Sequence, residues 1–257
     1  MARRPAGEVL GRRQEIIRHL RENTYMSVGS LSEVMGVSEV TIRRDLDALD
    51  ADGVLERKRG GAFISAGADR TENESEQSSR SGAIARIAEA AVGRIEPEDV
   101  VLLSGGPISE EIGRLLNETQ DLVVITNSVR VFEILEENRG IHLISTGGEL
   151  RHSNGALVGP MAEASIQNIR ADRFILEPSG ISEANGLFCS SLPDVPVLRA
   201  MIHAARDVVV VAESAAFDRE GIMQVASTSV ATEMITDELN ESIVGRLENE
   251  GITIVTT

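Results

Sequence analysis

From residue 100 onward, short apolar runs alternate with stretches of helical periodicity, and that alternation admits few folds. The runs fall at 100–104, 122–126, 141–146, 173–176, 208–213 and 252–255. Helical patterns lie between them, at about 108–117, 128–138, 160–170, 194–206 and 239–250. A further helix is expected from Ser81, because Ile84, Ile87, Ala88 and Ala91 share a face. The runs are apolar at nearly every position, so both faces of each strand need cover. Strands of that kind, separated by helices, predict a mainly parallel sheet in an α/β domain. Ligands of such sheets bind beyond the carboxyl ends of the strands.

Small polar residues collect at those ends. The first run ends in Ser104-Gly105-Gly106 and passes straight into a helix. The second ends in Thr126-Asn127, and the third in Thr146-Gly147-Gly148 with Arg151 just beyond. The fourth is followed by Ser179-Gly180. Glycine lets an anion approach the backbone, and a helix N-terminus offers unpaired amides to a phosphate. Each set alone is an ordinary turn. Together they make Ser104, Gly105, Gly106, Thr126, Asn127, Gly147, Gly148, Arg151, Ser179 and Gly180 candidate contacts for a small anionic ligand.

The N-terminal quarter follows a different plan. In residues 38–50, SEVTIRRDLDALD, Ser38 is a suitable N-cap and Ile42, Leu46 and Leu49 fall on one helical face. Val40, Thr41, Arg43 and Arg44 are turned away from that face near the front of the helix. Arginine can bond guanine or phosphate, and Val and Thr can touch a thymine methyl. Upstream, residues 11–23 read as a helix with Ile16, Ile17 and Leu20 inward. Ser27 can cap a short helix whose expected core positions are Leu31 and Val34. Gly36 supplies the turn between two steeply crossing helices, and Val37 an apolar plug. Gly53 is placed to end the longer helix. Two apolar runs then flank residues 56–61, ERKRGG, predicting a hairpin whose Arg57, Lys58 and Arg59 would lie against phosphates.

The net charge of −16 looks wrong for a DNA-binding chain until it is divided. Residues 1–61 hold 11 basic and 10 acidic side chains; the remaining 14 basic and 31 acidic side chains lie in residues 62–257. The acid therefore sits in the part that need not touch DNA. Of the 25 basic residues only Lys58 is lysine, a pattern shared by GC-rich coding and by adaptation to high salt. Aromatics make up 2% and Trp is absent, so the core must be aliphatic. The single cysteine, Cys189, excludes an intrachain disulfide and fits a reducing, cytoplasmic setting. No secretory signal or membrane-spanning run is seen, and no membrane partner is expected. His19, His142, His152 and His203 are dispersed without metal-ligand spacing, and no cofactor is expected.

Residues 11–64 resemble the helix-turn-helix of the DeoR family of bacterial-type transcription regulators. The resemblance is carried by Val37-Ser38, Thr41-Ile42-Arg43-Arg44-Asp45-Leu46, Leu49, Gly53, Leu55 and Arg59-Gly60-Gly61-Ala62. Arg59 stands where the family usually has histidine. The second half is similar to the family's effector domain through Asp99-Val100-Val101, Ser104-Gly105, Thr126-Asn127, Gly147-Gly148, Gly159, Asp172-Arg173-Phe174, Gly180-Ile181, Asn185-Gly186-Leu187, Arg199-Ala200-Met201 and Ile235-Thr236-Asp237. That resemblance implies a fold similar to ribose-phosphate isomerases and a sensor of sugar phosphates. The chain departs from the family at three loops. Ser104-Gly105-Gly106-Pro107 replaces Ser-Gly-Thr-Thr, Glu177-Pro178-Ser179-Gly180 replaces Gly-Ala-Asp-Gly, and Glu213-Ser214-Ala215-Ala216-Phe217 replaces Asp-Ser-Ser-Lys-Phe.

The expected organisation is a winged helix-turn-helix over residues 1–64, a polar linker over 65–79 and an α/β effector and oligomerisation domain over 80–257. The expected function is a DNA-binding repressor of carbohydrate genes, acting as a homo-oligomer on an operator and relieved by a phosphorylated sugar. Two other readings stay open here: a sensor domain that only oligomerises or binds a non-sugar ligand, and an isomerase-like enzyme. Ala216 and Pro107 speak against the enzyme, which would need a phosphate-holding cation and free loop amides.

Overall fold

A computed structural model describes residues 12–13, 15–20, 25–51, 55–58, 60–64, 74–217, 219, 221 and 223–257. The chain divides into two compact units, Met1–Glu74 and Ser75–Thr257.

In the smaller unit, residues 12–13 and 15–20 are helical (α1). They are followed by β1 (Tyr25–Ser27), α2 (Val28–Met35), α3 (Glu39–Ala51), β2 (Leu55–Lys58) and β3 (Gly61–Ile64). Ile16, Leu20, Leu31, Ile42 and Leu46 are fully buried between the helices, with Leu55 and Ala62 closing the core from the hairpin. Val34, an expected core position, is instead 55% exposed. Val28, Leu31 and Met35 follow the heptad spacing that faces the core, and Val34 falls off that stripe. The predicted hairpin gains a third strand: the antiparallel order is β1-β3-β2, with Tyr25 opposite Phe63. Gly61 is required there, since a Cβ would come within 2.3 Å of the Met26 carbonyl oxygen. Gly53 lies outside the described residues.

The larger unit opens with α4 (Glu74–Val92), which starts seven residues before Ser81 and takes in part of the stretch read as linker. Its order then runs β4 (Val100–Leu103), α5 (Pro107–Leu116), β5 (Leu122–Thr126), α6 (Val129–Leu135), β6 (Ile141–Ser145), β7 (Glu149–Arg151), β8 (Ala156–Val158), α7 (Pro160–Ile166) and β9 (Ala171–Leu176). It continues with β10 (Gly180–Ser182), β11 (Gly186–Cys189), α8 (Asp194–Ala204), β12 (Ala205–Val211), β13 (Met223–Ala226), β14 (Glu233–Thr236), α9 (Glu241–Asn249) and β15 (Thr253–Thr256).

Seven strands form one parallel sheet in the order β15-β14-β12-β9-β4-β5-β6. Successive side chains point to opposite faces. Val101 and Leu103 therefore pack with α4, α5 and α6, while Leu102 and Phe174 pack with α7 and α8, giving two cores. The chain lays down β4, β5 and β6 outward in one direction, then returns to add β9 on the other side of β4. The strand order thus reverses between β4 and β9. Smaller pieces had no clear run of their own: β14 in the main sheet, the β7-β8 hairpin and the antiparallel sheet β10-β11-β13. Among the described residues no helix is long and apolar enough to cross a membrane. None of their His, Cys, Asp and Glu side chains group so as to hold a metal ion.

Candidate nucleic-acid interface and effector site

The smaller unit presents the front of α3 to solvent. Ser38 starts that helix: its hydroxyl accepts from the Thr41 amide at 3.3 Å, and its carbonyl accepts from Thr41 and Ile42 at 2.9 and 3.1 Å. The Ser38 and Thr41 hydroxyls also meet at 2.9 Å, which orients Thr41 along the helix front. Val40 is 59% exposed, a large apolar group held in water with no core to cover it. Arg43 and Arg44 are exposed beside it. Arg43 bonds Glu39 one turn earlier at 2.8 Å, whereas Arg44 makes no ion pair among the described residues. The opposite face of α3 is fixed by more than apolar contact. Asp45, 3% exposed, accepts from Arg12 of α1 at 2.6 Å and lies 3.4 Å from Arg13.

The wing is held to the same helix. Arg57 forms an ion pair with Asp47, and its amide donates to Asp50 at 3.1 Å. This expected phosphate contact is therefore a brace between β2 and α3 in the free protein. Gly60 turns the hairpin with φ of 89° and its carbonyl accepts from the Val28 amide at 2.8 Å, tying the wing tip to α2. Lys58 ends β2, and Arg59 lies outside the described residues.

In the larger unit, the candidate ligand residues lie at the carboxyl edge of the parallel sheet, at the ends of neighbouring strands. Ser104-Gly105-Gly106 follow β4, Thr126 ends β5 with Asn127 just after it, and Gly147 and Gly148 lie beyond β6. Several of their polar atoms are already engaged. Thr126, fully buried, donates to the Leu103 carbonyl at 2.8 Å and accepts from the Ser128 amide at 3.0 Å. The Ser104 hydroxyl accepts from the Glu177 amide at 3.0 Å. Asn127, 3% exposed, donates weakly to the Leu157 carbonyl at 3.5 Å, and its Oδ1 has no hydrogen-bond partner. Gly148 is needed for packing, because a Cβ would come within 2.5 Å of the Val158 carbonyl. Gly180 is likewise closed in by the Arg219 carbonyl at 2.3 Å, and Ser179 bonds the Phe188 carbonyl. Arg151 is not a free cation. It donates to Asp194 at 3.2 Å, and Asn154 holds the other oxygen of that carboxylate at 2.9 Å.

Three acidic residues at this edge stand out from the small polar sets. Glu177, just beyond β9, accepts from the amides of Ile108 and Ser109 at the start of α5, at 3.3 and 2.8 Å. The residue as a whole is half-buried, but its carboxylate is enclosed, and burial pushes its pKa up to about 7 against the pull of those two amides. The charge on Glu213 pushes the same way. Glu213, beyond β12, is gripped by Arg80 of α4 through two guanidinium nitrogens at 2.9 and 3.1 Å. Asp237, beyond β14, accepts from the Ser214 amide at 2.6 Å. Sequence reasoning noted Glu177 and Glu213 only as departures; their visible signal was charge among otherwise neutral strand ends.

Residues 81–238 match the DeoR C terminal sensor domain, and residues 12–66 match the DeoR-like helix-turn-helix domain. The chain belongs to the DeoR family of transcriptional regulators. Among relatives, the HTH-type transcriptional regulator GlpR of Haloferax volcanii is 32% identical over 95% of this chain and 96% of its own length. The transcriptional repressor AccR of Agrobacterium fabrum is 31% identical, covering 91% of each. The glycerol-3-phosphate regulon repressor of Escherichia coli K12 is 28% identical over 88% of this chain and 90% of its own. Among solved structures, ribose 5-phosphate isomerase A of Methanocaldococcus jannaschii aligns with a TM-score of 0.40 and 14% identity, over 54% of this chain and 55% of that one. As a DeoR-family member the chain is a DNA-binding regulator, and the front of α3 is its candidate reading surface.

Proposed function

We propose that this DeoR-family regulator represses genes of carbohydrate metabolism and releases its operator when a phosphorylated sugar binds the carboxyl edge of the parallel sheet. The observation that carries the DNA half is the front of α3, where Val40, Thr41, Arg43 and Arg44 stand clear of the core behind the Ser38 cap. Arg44 reads a base or phosphate directly, and Arg43 does so after exchanging Glu39 for the DNA. Lys58 and Arg59 contact phosphates, with Arg57 bracing β2 against α3. A single helix-turn-helix offers few base contacts, so specific affinity comes from two or more subunits on paired half-sites. The sensor half is supported by the strand reversal between β4 and β9, the place where open α/β sheets receive ligands. It is supported as well by the naming of a relative for a glycerol-3-phosphate regulon.

The test is a gel-shift titration on the promoter DNA beside the protein's own gene, repeated with a panel of hexose, ketose and triose phosphates. Nanomolar binding released by one of these compounds is expected. Arg44→Ala should weaken specific binding by about 1–3 kcal/mol, roughly five- to 150-fold, with an unchanged circular dichroism spectrum. Unaltered affinity in Arg44→Ala, or indifference of the complex to every sugar phosphate, would overturn the corresponding half of the reading.

A further inference from the structure

The amino end of α5 is already filled. Helix N-termini attract anions because their first amides lack acceptors and the helix dipole favours negative charge. At α5 that place is taken from within the chain. Glu177 reaches across the β4/β9 crevice and accepts from the Ile108 amide at 3.3 Å and the Ser109 amide at 2.8 Å. The Ser109 hydroxyl is wholly buried and outside hydrogen-bonding geometry, yet near enough to the carboxylate to help hold its charge. Its counterpart on the loop is Gly106, at φ of 144°, where a Cβ would come within 2.3 Å of the Glu177 carboxylate. Gly106 and Glu177 are thus fitted to each other. Glu213, whose charge adds to that of Glu177, is held by Arg80 at 2.9 and 3.1 Å.

We propose that Glu177 is an internal competitor for the anionic group of the effector: an oxyanion such as a phosphate gains the Ile108 and Ser109 amides only by displacing the Glu177 side chain. This rests on reading the strand ends as the effector site. An arriving dianion meets a filled donor pair and a like charge beside it, so Glu177 lowers affinity for phosphate esters and raises the ligand concentration needed for release. A ligand that binds through hydroxyls alone, farther along the edge near Asn127, escapes the penalty. Glu177 is in this sense a specificity-determining residue of the sensor.

The decisive experiment titrates the full-length protein with sulfate, a dianion that does not itself titrate, at pH 8 and constant ionic strength. Calorimetry is run on wild type, Glu177→Ala and Glu177→Gln while the backbone amide resonances of Ile108 and Ser109 are followed. Glu177→Ala is expected to bind at least tenfold more tightly than wild type and to shift both amides. Glu177→Gln, which keeps the occupying group without its charge, is expected to gain less and covers the case of a poorly folded alanine variant. Equal affinity in wild type and both variants would refute the proposal. So would a folded Glu177→Ala that binds no sulfate, or binding that leaves both amides unmoved. The readout involves neither operator nor sugar, so a gain in sulfate affinity beside a failed sugar-phosphate panel would sink only the reading of the effector.

Discussion

Two charged side chains at the functional surfaces carry information that their exposure alone does not. Glu177 has a usual carboxyl pKa of 4.5 and is held near 7 in the folded chain, chiefly by burial and partly by the charge of Glu213. Between those values the folded state keeps a proton that the unfolded state has lost. Stability therefore falls as pH rises from about 4.5 to about 7 and stays low above it. The whole effect is at most about 3 kcal/mol. Glu177→Gln should melt higher than wild type at pH 8, with the advantage fading by pH 5; a difference independent of pH would contradict this. On the other unit, Arg43 is held by Glu39 at 2.8 Å, with both side chains about half exposed. An exposed pair of this kind is weak. Glu39→Gln should therefore leave stability nearly unchanged, tighten DNA binding a few-fold and steepen its salt dependence. Filter-binding titrations from low to moderate salt would check it, and weaker binding would count against it.

At the scale of elements, the buried clamp between α1 and α3 supports the recognition surface. Asp45 holds Arg12 at 2.6 Å behind the face that carries Arg43 and Arg44. Asp45→Asn leaves a partly buried guanidinium without its counter-charge and should destabilise the smaller unit by about 3 kcal/mol. Denaturant melts read by circular dichroism would show it, and a loss below 1 kcal/mol would mean the clamp is incidental. Residues 38–50 announced α3 because cap and core stripe recur in register. Asp45 stayed hidden because a charge beside two arginines reads as solvated. The parallel strands were legible for a related reason: burial on both faces makes them apolar throughout. β14 and the β10-β11-β13 sheet were not, since they are three or four residues long with few distinguishing positions. Part of the stretch expected as a linker is helical, since polar side chains suit a helix as readily as a loop, and α4 continues back to Glu74. Of the effector residues, their place at strand ends could be inferred. Their engagement could not, because Thr126, Ser104 and Arg151 find partners 23, 73 and 43 residues away.

For the whole molecule, the division at Glu74 and Ser75 separates a nearly neutral DNA-reading unit from a strongly acidic sensor. Residues 75–257 expressed alone should give a cooperative melt and, on the oligomeric reading, self-associate while failing to bind operator. Sedimentation at several concentrations would decide, and a fragment monomeric throughout would place the assembly contacts elsewhere. The return of the chain from β6 to β9 also sets a timetable for synthesis. Val101 pairs with Arg173, so 72 residues separate the partners at the centre of the sheet. At ~5–20 residues per second, the ribosome takes on the order of 4–14 s to supply the second partner. Throughout that interval β4, the inner edge strand of the nascent half-sheet β4-β5-β6, presents a bare hydrogen-bonding edge open to any other extended chain. Slow codons or truncations between 104 and 170 therefore expose the protein to misassembly at the β4 edge, and after 176 the bare edge passes to β9 until β12 is made.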